Sequence, residues 1–218
     1  FDSDYLNSRL EELPSNPKDE LRIYREPELT TEYVIGVDPS WCTGGDYAVA
    51  CVMSEFGEQV AVFACNQGGE DRFAEEINNI SRYYNRARVL CEANTGGAGR
   101  VVIKKMLQES TPIWKDTKGK DWVTHKGNKE LAYSFARQLV NSDGLELNDP
   151  QTIQELMHVR EERGRIEGQD GYHDDHADAF VLAVWACRRL PGFKGEIRRP
   201  RLKRTKRNPM DRIKMRLQ

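Results

Sequence analysis

Six consecutive residues near the end of the chain, His173-Asp174-Asp175-His176-Ala177-Asp178, hold three carboxylates and two imidazoles. The apolar run Ala179 to Leu190 follows at once, so the acids fall where a helix begins. A helix start tolerates negative charge, because its first turn leaves backbone N–H groups free and carries a partial positive charge. One carboxylate suffices for a cap, and three within a turn repel one another unless a cation offsets them. The stretch therefore points to a bound metal ion. Asp175 and Asp178, one turn apart on one face, read as ligands, whereas Asp174 reads as the helix cap. His173 and His176 read as groups that orient those ligands.

Two further acids stand at the ends of apolar runs. Tyr33-Val34-Ile35-Gly36-Val37-Asp38 is stopped by Pro39, and Arg88-Val89-Leu90-Cys91-Glu92 is followed by the glycine-containing loop Asn94 to Gly99. Each reads as a buried strand that delivers one carboxylate at its C-terminal end. If the strands are neighbours and the late helix packs on them, Asp38, Glu92 and the Asp174/Asp175/Asp178 group converge. Hard oxygen donors with no cysteine among them favour Mg²⁺ or Mn²⁺. Two such ions about 3.5–4 Å apart would clamp a phosphodiester for hydrolysis. Asp46 reads as a support for the metal or as the start of the next strand. The glycine loop fits neither common phosphate-loop spacing, and no ATP site is expected in this chain.

The elements between these acids follow from pattern. Asp46–Ser54 and Gln59–Asn66 are β-rich runs separated by a turn at Glu55–Glu58, so the first three strands should form an antiparallel meander. Phe73, Ile77, Ile80 and Tyr84 share one face of a helix over 70–84. A second helix opens after the glycine loop, and Thr111–Trp114 could add a last strand. Asn128 is the expected N-cap of a helix with the stripe Leu131, Phe135, Leu139, and Asp149-Pro150 begins the next. Val159–Gly171 reads as a mobile hairpin. The final helix, 174–190, is apolar nearly all round and should be buried. Lys104, Lys105, Lys126 and Lys129 are candidate phosphate contacts, though each alone suits an ordinary surface lysine.

Composition bounds the rest. At 218 residues and 38% hydrophobic content the chain can bury one good core. Its five cysteines are odd in number, scattered and mostly set in or beside apolar runs, as in a reduced cytosolic protein. No signal peptide or long apolar span appears, so a soluble protein with no membrane partner is expected. The net charge of −2 conceals an asymmetry: from Arg188 onward there are thirteen Lys and Arg against Glu196 and Asp211. A basic tail on an acidic body fits a polyanion partner, although a merely solvated tail has the same composition. Three segments result: an N-terminal arm or linker with a short helix over 1–30, a body over 31–190, and a flexible basic tail over 191–218. The chain lacks an initiator Met, as a fragment of a longer polypeptide would.

The ordered set VIGVDPS, VLCEANTGG and GYHDDHADAFVLAVWA resembles the nuclease domain of the large terminase subunit of tailed bacteriophages. The resemblance spans roughly 32–190, including the Asn-Lys helix start at Asn128-Lys129. It implies an RNase H-like, RuvC-related α/β fold with a mixed central sheet, three antiparallel leading strands and helices on both faces. It also implies a two-metal, Mg²⁺- or Mn²⁺-dependent endonuclease that cuts concatemeric viral DNA during packaging. Asp38 corresponds to the first-strand acid, Glu92 to the second and Asp175 to the helix acid, with Asp38 bridging both ions; family members differ over positions such as Asp174 and Asp178. Implied partners are double-stranded DNA, a packaging ATPase domain on the N-terminal side, the small terminase subunit and the portal protein. The implied location is the host cytoplasm, at the procapsid portal. A junction resolvase, or a non-catalytic DNA-binding or assembly module, would share many of these features. An actin-like phosphotransferase needs an Asp-x-Gly loop, and Asp38 is followed by Pro39-Ser40.

Overall fold

The computed structural model describes residues 1–14, 19–94, 97–116, 118–162 and 165–195. Thr95 and Gly96 of the glycine loop, Gly164 of the expected hairpin and residues 196–218 of the basic tail lie outside the described residues.

The order is α1 (Ser3–Glu12), β1 (Leu21–Ile23), β2 (Tyr33–Asp38), β3 (Ala48–Ser54), β4 (Gln59–Cys65), α2 (Gly69–Tyr83), β5 (Arg88–Cys91), α3 (Gly99–Gln108), α4 (Lys126–Val140), α5 (Pro150–His158), β6 (Val159–Glu162), β7 (Arg165–Gly168) and α6 (Asp175–Cys187). Five strands form a mixed sheet in the order β1-β4-β3-β2-β5, and β6 and β7 form a separate antiparallel pair. The meander β2-β3-β4 is antiparallel throughout, as its short turns require, while β5 returns through α2 to lie parallel to β2. This is the expected α/β architecture.

Alternation along each strand separates two cores. Val34, Val49, Cys51, Val62 and Leu90 face α4, α5 and α6, while Ile35, Val37, Ala50, Phe63 and Val89 face α2 and α3. With both faces covered, the strands read as continuous apolar runs. Helix α6 lies directly on β2 at Gly36, where a Cβ would overlap the backbone N of Ala183 and O of Ala179. A glycine at the strand centre thus lets the helix that carries the acids approach the strand that ends on Asp38.

Several details differ from expectation. Residues 1–30 include the expected helix, and their described part also packs on the body. Leu6 is fully buried, Tyr5 Oη donates to the Leu145 carbonyl at 2.9 Å, and β1 pairs with β4 at the sheet edge. A three-residue strand is too short to show a period, which is why the pattern concealed it. Thr111–Trp114 contributes one bridge, Ile113 to Val89, rather than a strand. The N-cap of α4 is His125, with Asn128 closing a reciprocal capping box three residues later. The buried face of α4 is Ala132, Tyr133, Ala136 and Val140, and Leu131 is 62% exposed.

Candidate metal centre

Asp38 ends β2, and Glu92 directly follows β5; the Glu92 N–H donates to the Val37 carbonyl at 3.1 Å. Parallel pairing therefore puts the two acids side by side at the C-terminal ends of β2 and β5. The first turn of α6 brings Asp175 and Asp178 to the same place. Burial, together with Asp178, Glu92 and Asp175, pushes the Asp38 carboxyl well above the usual carboxylate range, against a smaller opposing effect of Lys129. Burial and Asp178 likewise raise Glu92. Burial raises Asp175 to about 6. Four acids from three distant stretches thus share one field, and burial raises each of them.

Each acid is held by specific neighbours. The Tyr47 backbone N–H donates to Asp175 Oδ2 at 3.1 Å, and the His173 ring lies 3.7 Å from the same oxygen. Asn94 Nδ2 donates to Glu92 Oε1, while Asn94 Oδ1 accepts the Thr124 N–H at 2.8 Å. Asp178 is engaged at both oxygens, by Lys129 Nζ at 2.7 Å and by Tyr133 Oη at 2.6 Å. Lys129 also stands 3.8 Å from Asp174.

The residues singled out in the sequence therefore separate. Asp38, Glu92, Asp175 and Asp178 gather, with Asp174 beside Lys129. Asp174 occupies the N-cap position of α6 but makes no side-chain cap bond. Those donors are taken instead by Glu155 of α5, whose Oε2 accepts the backbone N–H of His176 at 2.7 Å and of Ala177 at 3.1 Å. His176 is buried against Glu155 at 2.9 Å, so its ring secures the helix start and does not bond the acids. Asp46 is exposed and meets Ser40 through its carbonyl rather than its carboxylate. Lys105 pairs with Asp71, Lys126 lies 3.8 Å from Glu130, and Lys104 is exposed on α3.

Tyr133, Asn94, Tyr47 and Glu155 were not singled out. Lys129 and Tyr133 are four residues apart, so their shared helix face was available in the spacing. Nothing local marks Glu155 or Tyr47, whose partners lie far along the chain.

The donor set suits a hard divalent cation: carboxylate oxygens in excess, partly shielded from water, with one ammonium among them. Among the described residues no three Asp, Glu, His or Cys side chains already stand as a metal cage. Lys129, Tyr133 and Asn94 engage the acids individually.

No family model matches the chain. Solved structures do resemble it. The large terminase nuclease from thermophilic phage G20c with bound magnesium aligns with a TM-score of 0.67 and 19% identity, over 83% of this chain and 96% of that one. The Thermus phage P74-26 large terminase nuclease domain gives 0.67 and 19%, over 87% and 98%. The G20c nuclease with bound zinc gives 0.61 and 20%, over 82% and 96%. The chain therefore has the RNase H-like fold found in the nuclease domains of phage large terminases.

Proposed function

We propose that this chain is a divalent-metal-dependent DNA endonuclease of the large terminase kind, cutting concatemeric viral DNA during genome packaging. The observation that carries the reading is that Asp38 at the end of β2 and Glu92 just after β5 stand side by side, with the Glu92 N–H on the Val37 carbonyl, and that Asp175 in the first turn of α6 acts on the same Asp38 carboxyl. The G20c large terminase nuclease has been solved with bound magnesium, cobalt and zinc, which supports a divalent ion at such a site.

In this reading Asp38, Glu92 and Asp175 would hold two Mg²⁺ or Mn²⁺ ions, with Asp174 at the rim. When bound, such ions activate water and neutralise the leaving oxygen of a phosphodiester. The chain's own groups do the positioning. The Tyr47 amide fixes Asp175, Asn94 fixes Glu92, and Glu155 anchors the start of α6. Because both Asp178 oxygens are engaged, we assign it to holding Lys129 rather than to ligation. The Lys129 ammonium supplies a fixed positive charge beside the acids.

The catalytic body would span 31–190, with 1–30 as a linker or N-terminal arm and 191–218 as a basic tail. A packaging ATPase domain, a small terminase subunit and a portal protein would be its partners, in the host cytoplasm at the procapsid portal. Supercoiled plasmid incubated with Mg²⁺ or Mn²⁺ tests the reading. Nicked and linear products that vanish in EDTA are expected, and intact plasmid under all these conditions would refute it.

A further inference from the structure

A groove of about 680 Å³ runs beside Glu92. Its wall includes Trp122, whose carbonyl accepts the Ala93 N–H at 2.7 Å, so the groove begins one residue from the carboxylate centre. Arg100, Lys120 and His125 line it together with Asp116 and Asp121. The two acids are already used. Asp116 Oδ1 accepts the backbone N–H of Lys118 and of Lys120, each at 2.8 Å, and Asp121 Oδ1 accepts Lys115 Nζ at 2.5 Å. The cations are not. Arg100 donates through Nε to the Ala93 carbonyl at 3.4 Å, and among the described residues neither Arg100 nor Lys120 pairs with a carboxylate. His125 Nδ1 accepts the Asn128 N–H at 3.4 Å, and its ring lines the groove.

We infer that this groove carries the phosphodiester backbone of the substrate strand on the Glu92 side of the cut, with Arg100 and Lys120 as phosphate contacts. This rests on the nuclease reading above. Cations without a carboxylate partner along an open channel match a polyanion; of the two acids between them Asp121 is neutralised by Lys115, while Asp116 keeps its charge. The lysines that sequence spacing suggested are less well placed, since Lys105 is already paired with an acid and Lys104 does not line this groove.

The test is fluorescence anisotropy with a labelled 30-bp DNA duplex in Ca²⁺, titrated from 50 to 200 mM KCl. Wild type, Arg100→Ala/Lys120→Ala, Lys120→Glu alone and Lys104→Ala are compared, all as the full chain with its basic tail. The double variant should bind about tenfold more weakly at 0.1 M salt, with its log–log salt slope reduced by about two. Lys104→Ala should change neither, and Mn²⁺ affinity by calorimetry should be unaltered in every variant. Wild-type affinity and slope in the double variant would overturn the inference, as would an equal loss in Lys104→Ala. If Arg100→Ala unfolds the protein, Lys120→Glu decides in the same way, because Lys120 is exposed in a loop. A wild type that binds through Arg100 and Lys120 but never cleaves with Mg²⁺ or Mn²⁺ would refute the nuclease reading and leave the groove as a DNA-binding surface.

Discussion

Lys129 Nζ stands 2.7 Å from Asp178 Oδ2, and this pair places an ammonium inside a cluster of carboxylates. The Lys129 side chain is only 22% exposed, so its removal leaves Asp178 shielded with Tyr133 as its remaining close donor. Lys129→Met should therefore lower stability at neutral pH by roughly 2 kcal/mol, read by urea unfolding. Added Mn²⁺ should recover more stability in the variant than in wild type. An ordinary surface lysine would give no measurable change in either.

The acid cluster predicts an unusual pH dependence in the metal-free protein. Asp175 is raised from 3.8 to about 6 by burial, so between these values the folded state binds more protons than the unfolded state. Its contribution is thus favourable below about pH 4 and is lost as pH rises through about 6. Asp175→Asn should raise metal-free stability at pH 7.5, by on the order of 2 kcal/mol, and should shrink the thermal shift caused by Mn²⁺. Scanning calorimetry in EDTA from pH 5 to 8 checks the sign.

A second buried charge behaves oppositely. Asp149 caps α5 through the Thr152 N–H at 2.8 Å and accepts Arg22 Nε at 2.7 Å and Tyr24 Oη at 2.7 Å. Burial alone would raise it, but Arg22, His176 and these hydrogen bonds win and hold it below the usual range. Its stabilisation is present above about pH 4 and lost as pH falls below that value. Asp149→Ala should cost about 3 kcal/mol or more, because it leaves the Arg22 guanidinium buried without its partner. Denaturant midpoints at pH 7 report it.

Gly36 sets the distance between β2 and α6. Gly36→Ala would force a methyl against the backbone of Ala179 and Ala183, which no rotamer can relieve. A loss of about 3 kcal/mol is expected, together with weakened Mn²⁺ binding as Asp175 moves away from Asp38. Calorimetric Mn²⁺ titration of the folded fraction distinguishes this from simple destabilisation.

What could be read in advance follows from how local each cause is. Asp38 and Glu92 were legible because apolar runs ended on them, and Asp149-Pro150 because a cap and a first-position proline are adjacent signals. The stripe of α4 was misplaced because Ala132 and Ala136, small enough for close packing, face the core while the larger Leu131 faces out. Glu155 at the start of α6 and Arg22 against Asp149 join residues 21 and 127 positions apart, and no window along the chain contains such pairs. Lys129 was visible as a candidate, but the Asp178 that claims it was visible only as a ligand.

Asp38 lies among Asp178, Glu92 and Asp175 in that shared field, so Asp38→Asn tests the proposed centre most directly. The substitution keeps the size of the side chain and removes its charge. Plasmid nicking with Mg²⁺ or Mn²⁺ should fall by at least about a hundredfold while the circular-dichroism spectrum and melting temperature stay at or above wild type. Cleavage at the wild-type rate in that folded variant would contradict a metal centre built on Asp38.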